Sequence, residues 1–269
     1  MGDILAWSNL FRCVGTFSNY LTFLRDCCCA INVSCPEIGD PCIKRAKASI
    51  VKRLVFTSRP RMFIKRDMLY NLIRRADTET IDYEFAMLWL VACAFMLRLP
   101  SEGLPIERDV HRDFSDGHHI YLDSSENLCL YLTSRKNKLR PTIIKRSCTC
   151  AGIAALCPVH ELWFNFLVHR DIGSKPWAHI SPSVARTKLR TMLHNLAVPN
   201  SGRYGTHDFR RGHADDLRES GVPIPKIAEM GGWSSVASLP AYLDMPELEK
   251  SVVFEAAITS DVEEEEWLD

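Results

Sequence analysis

Between Ile81 and Leu97 the sequence reads IDYEFAMLWLVACAFML, apolar on nearly every side of a helix. A helix with no face to offer water predicts the centre of a core, with other elements wrapped around it. Its continuous apolar part, Phe85 to Leu97, is too short to span a bilayer and runs straight into Arg98. The chain upstream, to about Glu79, reads as helical, broken by a Pro/Gly/Cys loop near Val33 to Pro41, and KRDMLYNLIRRA is one of its helices. Downstream, HHIYLDS, NLCLYLTSR and RPTIIKR carry alternating Leu/Tyr and Thr/Ile content and predict strands, with SRKNKLR a polar turn between the last two. Helices resume at about Val159. The expected fold is therefore mainly α with a small antiparallel β-sheet inserted.

Lys and Arg balance Asp and Glu over the whole chain, but not locally. From Met245 to Asp269 there are nine Asp/Glu and one Lys, whereas from Cys42 to Arg75 eleven Lys/Arg face the single acid Asp67. That separation gives a basic body suited to phosphates and an acidic end. Solvated helix faces would produce the same count.

The first residues lack a basic segment followed by an apolar run, so no signal peptide is read there. With 11 cysteines in the chain, the expectation is an intracellular, reducing compartment, the nucleus for a eukaryotic source. No membrane partner is expected.

The last third is punctuated by helix signals. Thr206 is placed to cap a helix over HDFRRGHADDLRES and Gly221 to stop it. Pro225 starts PKIAEM, which ends at Gly231-Gly232, and Ser234 or Ser235 can cap the segment carrying Tyr242. His207 and Arg210 are three apart and so share a helical face, and Tyr242 follows Trp233 by nine residues. Upstream, Arg98 closes the apolar helix, with Glu102 one turn on. Each residue alone has an ordinary explanation: a surface ion pair for Arg98 and Glu102, a core anchor for Trp233, simple packing for Tyr242.

Taken in order, Arg98, Glu102, His207, Arg210, Trp233 and Tyr242 resemble the tyrosine recombinase, or phage integrase, family. The family pattern is an Arg and an acid, a Lys in a β-turn, His-x-x-Arg, a His or Trp, and a Tyr nine residues on. The resemblance implies a catalytic domain that breaks and rejoins DNA through a 3′-phosphotyrosine on Tyr242, leaving a free 5′-hydroxyl. Arg98 and Arg210 would fork onto the non-bridging phosphate oxygens, with His207 and the Trp233 indole N–H as further donors. Glu102 would brace the cluster. The family's β-turn Lys, which protonates the leaving oxygen, falls on Lys136 or Lys138, with Lys136 favoured. One phosphodiester is exchanged for another of similar energy, so no cofactor is expected for the chemistry.

CTCAGIAALCPVH brings Cys148, Cys150, Cys157 and His160 into a compact run with the ligand types of a tetrahedral structural Zn²⁺. Reduced cysteines in a loop are the alternative. The Cys27-Cys28-Cys29 run has no convincing partner histidine and is read as packing.

Residues 1–75 are expected to be a reduced helical DNA-clamp region, 76–244 the catalytic domain and 245–269 a C-terminal helix with an acidic tail. Double-stranded DNA is the expected partner, bound by a homo-oligomer, a tetramer by the resemblance. A site-specific recombinase or integrase of a mobile element is the leading reading. An inactive DNA-binding descendant and a type IB topoisomerase-like enzyme are the alternatives.

Overall fold

The computed structural model describes residues 2–11, 13–53, 61–78, 80–109, 117–135, 140–233, 235–236 and 238–243. The C-terminal helix and acidic tail expected beyond Asp244 lie outside these residues. The chain divides into two compact units, Met1–Pro60 and Arg61–Asp269, so the basic stretch from Cys42 to Arg75 is shared between them.

The first unit holds α1 (Gly2–Ser8), α2 (Val14–Ala30) and α3 (Pro41–Arg53). Phe17 and Leu21 of α2 meet Ile43, Ala46 and Ile50 of α3 in a small core, edged by Trp7 and Phe11. Their rings pack edge-to-face at 4.8 Å.

In the second unit α4 (Arg66–Arg74) leads to α5 (Ile81–Ala94), whose residues from Phe85 to Cys93 are all buried. The all-round apolar run is thus the central helix. It is packed by α4, by α7 (Asp208–Glu219) and by a wide helical turn, Pro158–Phe164. Trp89 stacks on Phe209 of α7 at 5.2 Å. α6 (Pro182–Asn195), capped by the Ser181 hydroxyl on the Val184 amide, adds Leu189 and Leu193 to the same core.

The sheet runs in the order β1 (Ile106–Arg108), β2 (His118–Leu122), β3 (Leu128–Leu132), β4 (Thr142–Arg146). The three strands expected from the sequence form an antiparallel meander, Ile120 opposite Leu130 and Leu130 opposite Ile144. The sheet is mixed, however, because β1 joins β2 in parallel, Ile106 beside His118. A three-residue strand is too short to show alternation, so the sequence held no sign of it.

Two small helices follow among the described residues: α8 (Ile224–Gly231) and α9 (Ser238–Leu243). Leu239 and Leu243 of α9 pack with Met96, Ala214, Ile227 and Ala228 in a second cluster, which fixes α9 against α7 and α8. Gly212 lets α7 approach closely: a Cβ there would collide with the Ile64 backbone. Among the described residues no helix is long and apolar enough to cross a membrane.

Candidate active site

α5 does not reach Arg98. It ends at Ala94, and Met96 turns the chain through the left-handed region at φ 52°. Arg98 follows in extended conformation, immediately before the helical turn Leu99–Gly103. A continuous helix would have buried the Met96 carbonyl in its own ladder. The turn instead frees it to accept from Arg210 Nη1 at 2.6 Å and Arg135 Nη2 at 3.2 Å. Arg210 Nη2 donates to the Gly231 carbonyl at 2.6 Å. The side chain of Arg210 is thus fixed through two backbone oxygens while only 1% exposed.

Glu102, also 1% exposed, is the hub of the charges. Its Oε2 accepts the Arg98 amide at 2.9 Å and its Oε1 accepts Arg98 Nη1 at 3.1 Å. Arg135 closes on it from the other side, with Nε 3.4 Å from Oε1 and Nη2 3.3 Å from Oε2. Burial pushes the Glu102 carboxyl up, but Arg135 and the Arg98 amide outweigh it, and the group is held below its usual range. Pairing on both faces makes this burial tolerable for a carboxylate.

Arg135 went unassigned in the sequence. An Arg at the edge of a polar turn gives no sign of burial, and its partner Glu102 is 33 residues away. Lys136 follows it directly, but Lys136 and Lys138 both lie outside the described residues.

His207 precedes the first turn of α7, and the expected Thr206 cap is not what starts that helix. Asp208 accepts the Gly205 amide at 2.8 Å instead, and its other oxygen takes Arg211 Nη1 at 2.7 Å. The carboxylate ties the preceding loop to the start of the helix, while His207 at the cap position makes no side-chain cap bond. Gly221 closes α7 as expected, at φ 82°. Gly231 and Gly232 are needed on both counts of space: a Cβ on Gly231 would collide with the Trp233 ring, and one on Gly232 would stand 2.8 Å from Arg135 Nη1. The pair therefore lets Trp233 fold back so that Arg210 lies 4.0 Å from the centroid of its ring.

Tyr242, on α9, packs edge-on to Trp233 at 5.1 Å and to His207 at 5.6 Å, with the Arg211 guanidinium 5.1 Å from its centroid. Its hydroxyl is buried and makes no hydrogen bond among the described residues. Burial pushes the phenol up to about 12, against the pull of Arg210 and Arg211. Burial likewise pushes His207 down to about 4, helped by Arg210, Arg211 and Arg98, so its ring is neutral at pH 7. Burial lowers Arg210 to about 10, still a cation at pH 7. The result is a cationic cluster with a neutral imidazole and a phenol packed against it, suited chemically to an anion that is attacked by an oxygen.

On the far end of β4, the ligand atoms of Cys148, Cys150, Cys157 and His160 lie within 4.8 Å of one another. Arg98, Glu102, His207, Arg210, Trp233 and Tyr242 gather at one place and the four Cys/His residues at another.

No family model matches the chain. An 89-residue segment is 32% identical to the integrase of Salmonella phage P22, covering 31% of this chain and 22% of that protein. The match therefore spans under a quarter of the phage protein. By fold, the chain is similar to the Tn1549 transposon integrase, solved in complex with a circular intermediate DNA. The TM-score is 0.54 at 11% identity, over 96% of this chain and 84% of that one. The likeness in sequence over that segment and the likeness in fold are both to integrases, the proteins that this chain resembles.

Proposed function

We propose that the chain is a DNA strand-transfer enzyme that cleaves and rejoins duplex DNA through a phosphotyrosine on Tyr242. The observation that carries this reading is the convergence of Tyr242, His207, Trp233 and the buried Arg210. The scissile phosphate sits against Arg98 and Arg210, whose charge stabilises the pentacoordinate transition state. Tyr242 attacks phosphorus, the bond to the 5′-oxygen breaks, and the 3′-phosphate is left on the tyrosine. The neutral His207 ring is the acceptor for the phenol proton, and Lys136 or Lys138 the donor to the leaving oxygen. Rejoining runs the same steps backwards with a 5′-hydroxyl as nucleophile. Glu102 and Arg135 are positioning residues that hold Arg98 and the Met96 carbonyl.

Double-stranded DNA is the substrate, and a homo-oligomer on DNA follows from the need to exchange strands between duplexes. DNA from the flanks of the encoding gene, nicked near the cleavage point so that the cut strand diffuses away, traps the covalent stage. An SDS-resistant adduct with wild type and none with Tyr242→Phe is expected. Binding without an adduct from either protein would favour a non-catalytic DNA-binding role. Relaxation of supercoiled plasmid by isolated monomers would favour a topoisomerase.

A further inference from the structure

Cys148 and Cys150 lie just past β4, while Cys157 and His160 lie at the start of the Pro158–Phe164 turn that packs on α5. The imidazole Nδ1 of His160 faces all three sulfurs, at 3.4 Å from Cys148, 3.2 Å from Cys150 and 3.5 Å from Cys157. The Cys148 and Cys157 sulfurs are 3.8 Å apart. A tetrahedral zinc with Zn–S near 2.3 Å and Zn–N near 2.05 Å requires S···S of about 3.8 Å and S···N of about 3.6 Å. These separations fit one ion held by all four atoms, with no position left for water.

The surroundings suit thiolates. The Thr149 and His160 amides donate to the Cys157 sulfur at 3.3 and 3.5 Å, and the Cys150 amide to the Cys148 sulfur at 3.5 Å. Three thiolates around Zn²⁺ leave one net negative charge, which such amide donors offset. Cys157 is fully buried and belongs to the main core.

We propose that Cys148, Cys150, Cys157 and His160 bind one structural Zn²⁺, which fastens the end of β4 to the turn packed on the central helix. The fastening bears on the active site through Arg146, two residues before Cys148. Its Nε donates to the Ala94 carbonyl at 2.6 Å, and its guanidinium lies 5.4 Å from the Phe95 ring centroid. Ala94 and Phe95 are where α5 gives way to the Met96 turn.

The test is metal content of the full chain purified under reducing conditions from zinc-supplemented cells. About one zinc per chain is expected, with replacement by Co²⁺ giving tetrahedral d–d bands and thiolate-to-metal charge transfer. His160→Gln and Cys150→Ser should weaken zinc binding by on the order of 100-fold or more, and Cys27→Ser should leave it unchanged. Chelation should lower the melting temperature of wild type. If the variants do not fold, the cobalt spectrum of the wild-type chain still decides. A protein that carries no zinc, or cobalt spectra without charge transfer from sulfur, would overturn the site in favour of four reduced side chains.

Discussion

The Met96 carbonyl is shared by two guanidinium groups, accepting from Arg210 at 2.6 Å and from Arg135 at 3.2 Å. A single backbone oxygen at the end of the central helix thus sets both the arginine that the family pattern names and one that it does not. The same Arg135 neutralises Glu102, and Glu102 in turn holds Arg98.

Removal of Arg135 should accordingly damage stability before it damages chemistry. Arg135→Met leaves Glu102 buried with Arg98 as its remaining ion pair, and breaking a buried pair from one side costs about 3–5 kcal/mol. Chemical denaturation should show that loss, and the double variant Arg135→Met, Glu102→Met should recover part of it. A loss below about 1 kcal/mol would mean that the pair is solvated.

Arg98 is more accessible than Arg210, its side chain 18% exposed beside a fully buried Glu102. Arg98→Ala takes one partner from Glu102 but keeps the Arg98 amide bond to it, so it should lower the melting temperature less than Arg135→Met does. It should also lower the rate of strand cleavage by about 10²–10³, the usual loss for one transition-state donor. Trp233→Phe keeps a ring under Arg210 and gives up only the indole N–H, so a drop of about tenfold is expected. Single-turnover cleavage of nicked DNA measures both.

Gly212 is where sequence and structure inform each other. A glycine inside a helix costs about 1 kcal/mol relative to alanine, and in α7 the structure shows what that glycine is for. It gives a close approach to the Ile64 backbone. Gly212→Ala should destabilise the protein by about 1–3 kcal/mol, whereas Gly202→Ala, with open space around it, should not. Equal melting temperatures for the two variants would contradict the packing described.

The central helix, the β2–β4 meander and the helix stops at Gly221 and Gly232 were legible because each rests on local pattern. The grouping of His207, Arg210, Trp233 and Tyr242 was legible because all four fall within one short stretch of chain, from the start of α7 to α9. Three features were not legible. The Met96 turn requires a left-handed residue with no glycine or asparagine to announce it. Arg135 depends on a partner distant in the chain. The start of α7 depends on Asp208, which ties back to the Gly205 amide and across to Arg211, and not on a Thr206 cap.

Acid should weaken the fold in a definite window. Burial holds His207 and His213 near pKa 4 in the folded state, below the ordinary value of 6.5. The unfolded chain binds these protons first, so the stability they contribute is fully present above about pH 6.5. It is lost as pH falls toward 4, by on the order of 1–3 kcal/mol for each histidine. Denaturation curves between pH 7 and 4 should show the decline, and His213→Phe should flatten it. DNA should raise the pKa of His207, because a phosphate among Arg98, Arg210 and Arg211 offsets their positive field.

The measurement that bears most directly on Tyr242 is mass spectrometry of the protein after reaction with nicked DNA, nuclease trimming and proteolysis. The expected result is one modified peptide, carrying a nucleotide joined through its 3′-phosphate to the Tyr242 oxygen, with a free 5′-hydroxyl on the released strand. A nucleotide on any other residue, or a link through a 5′-phosphate, would contradict the assignment of Tyr242 as the nucleophile.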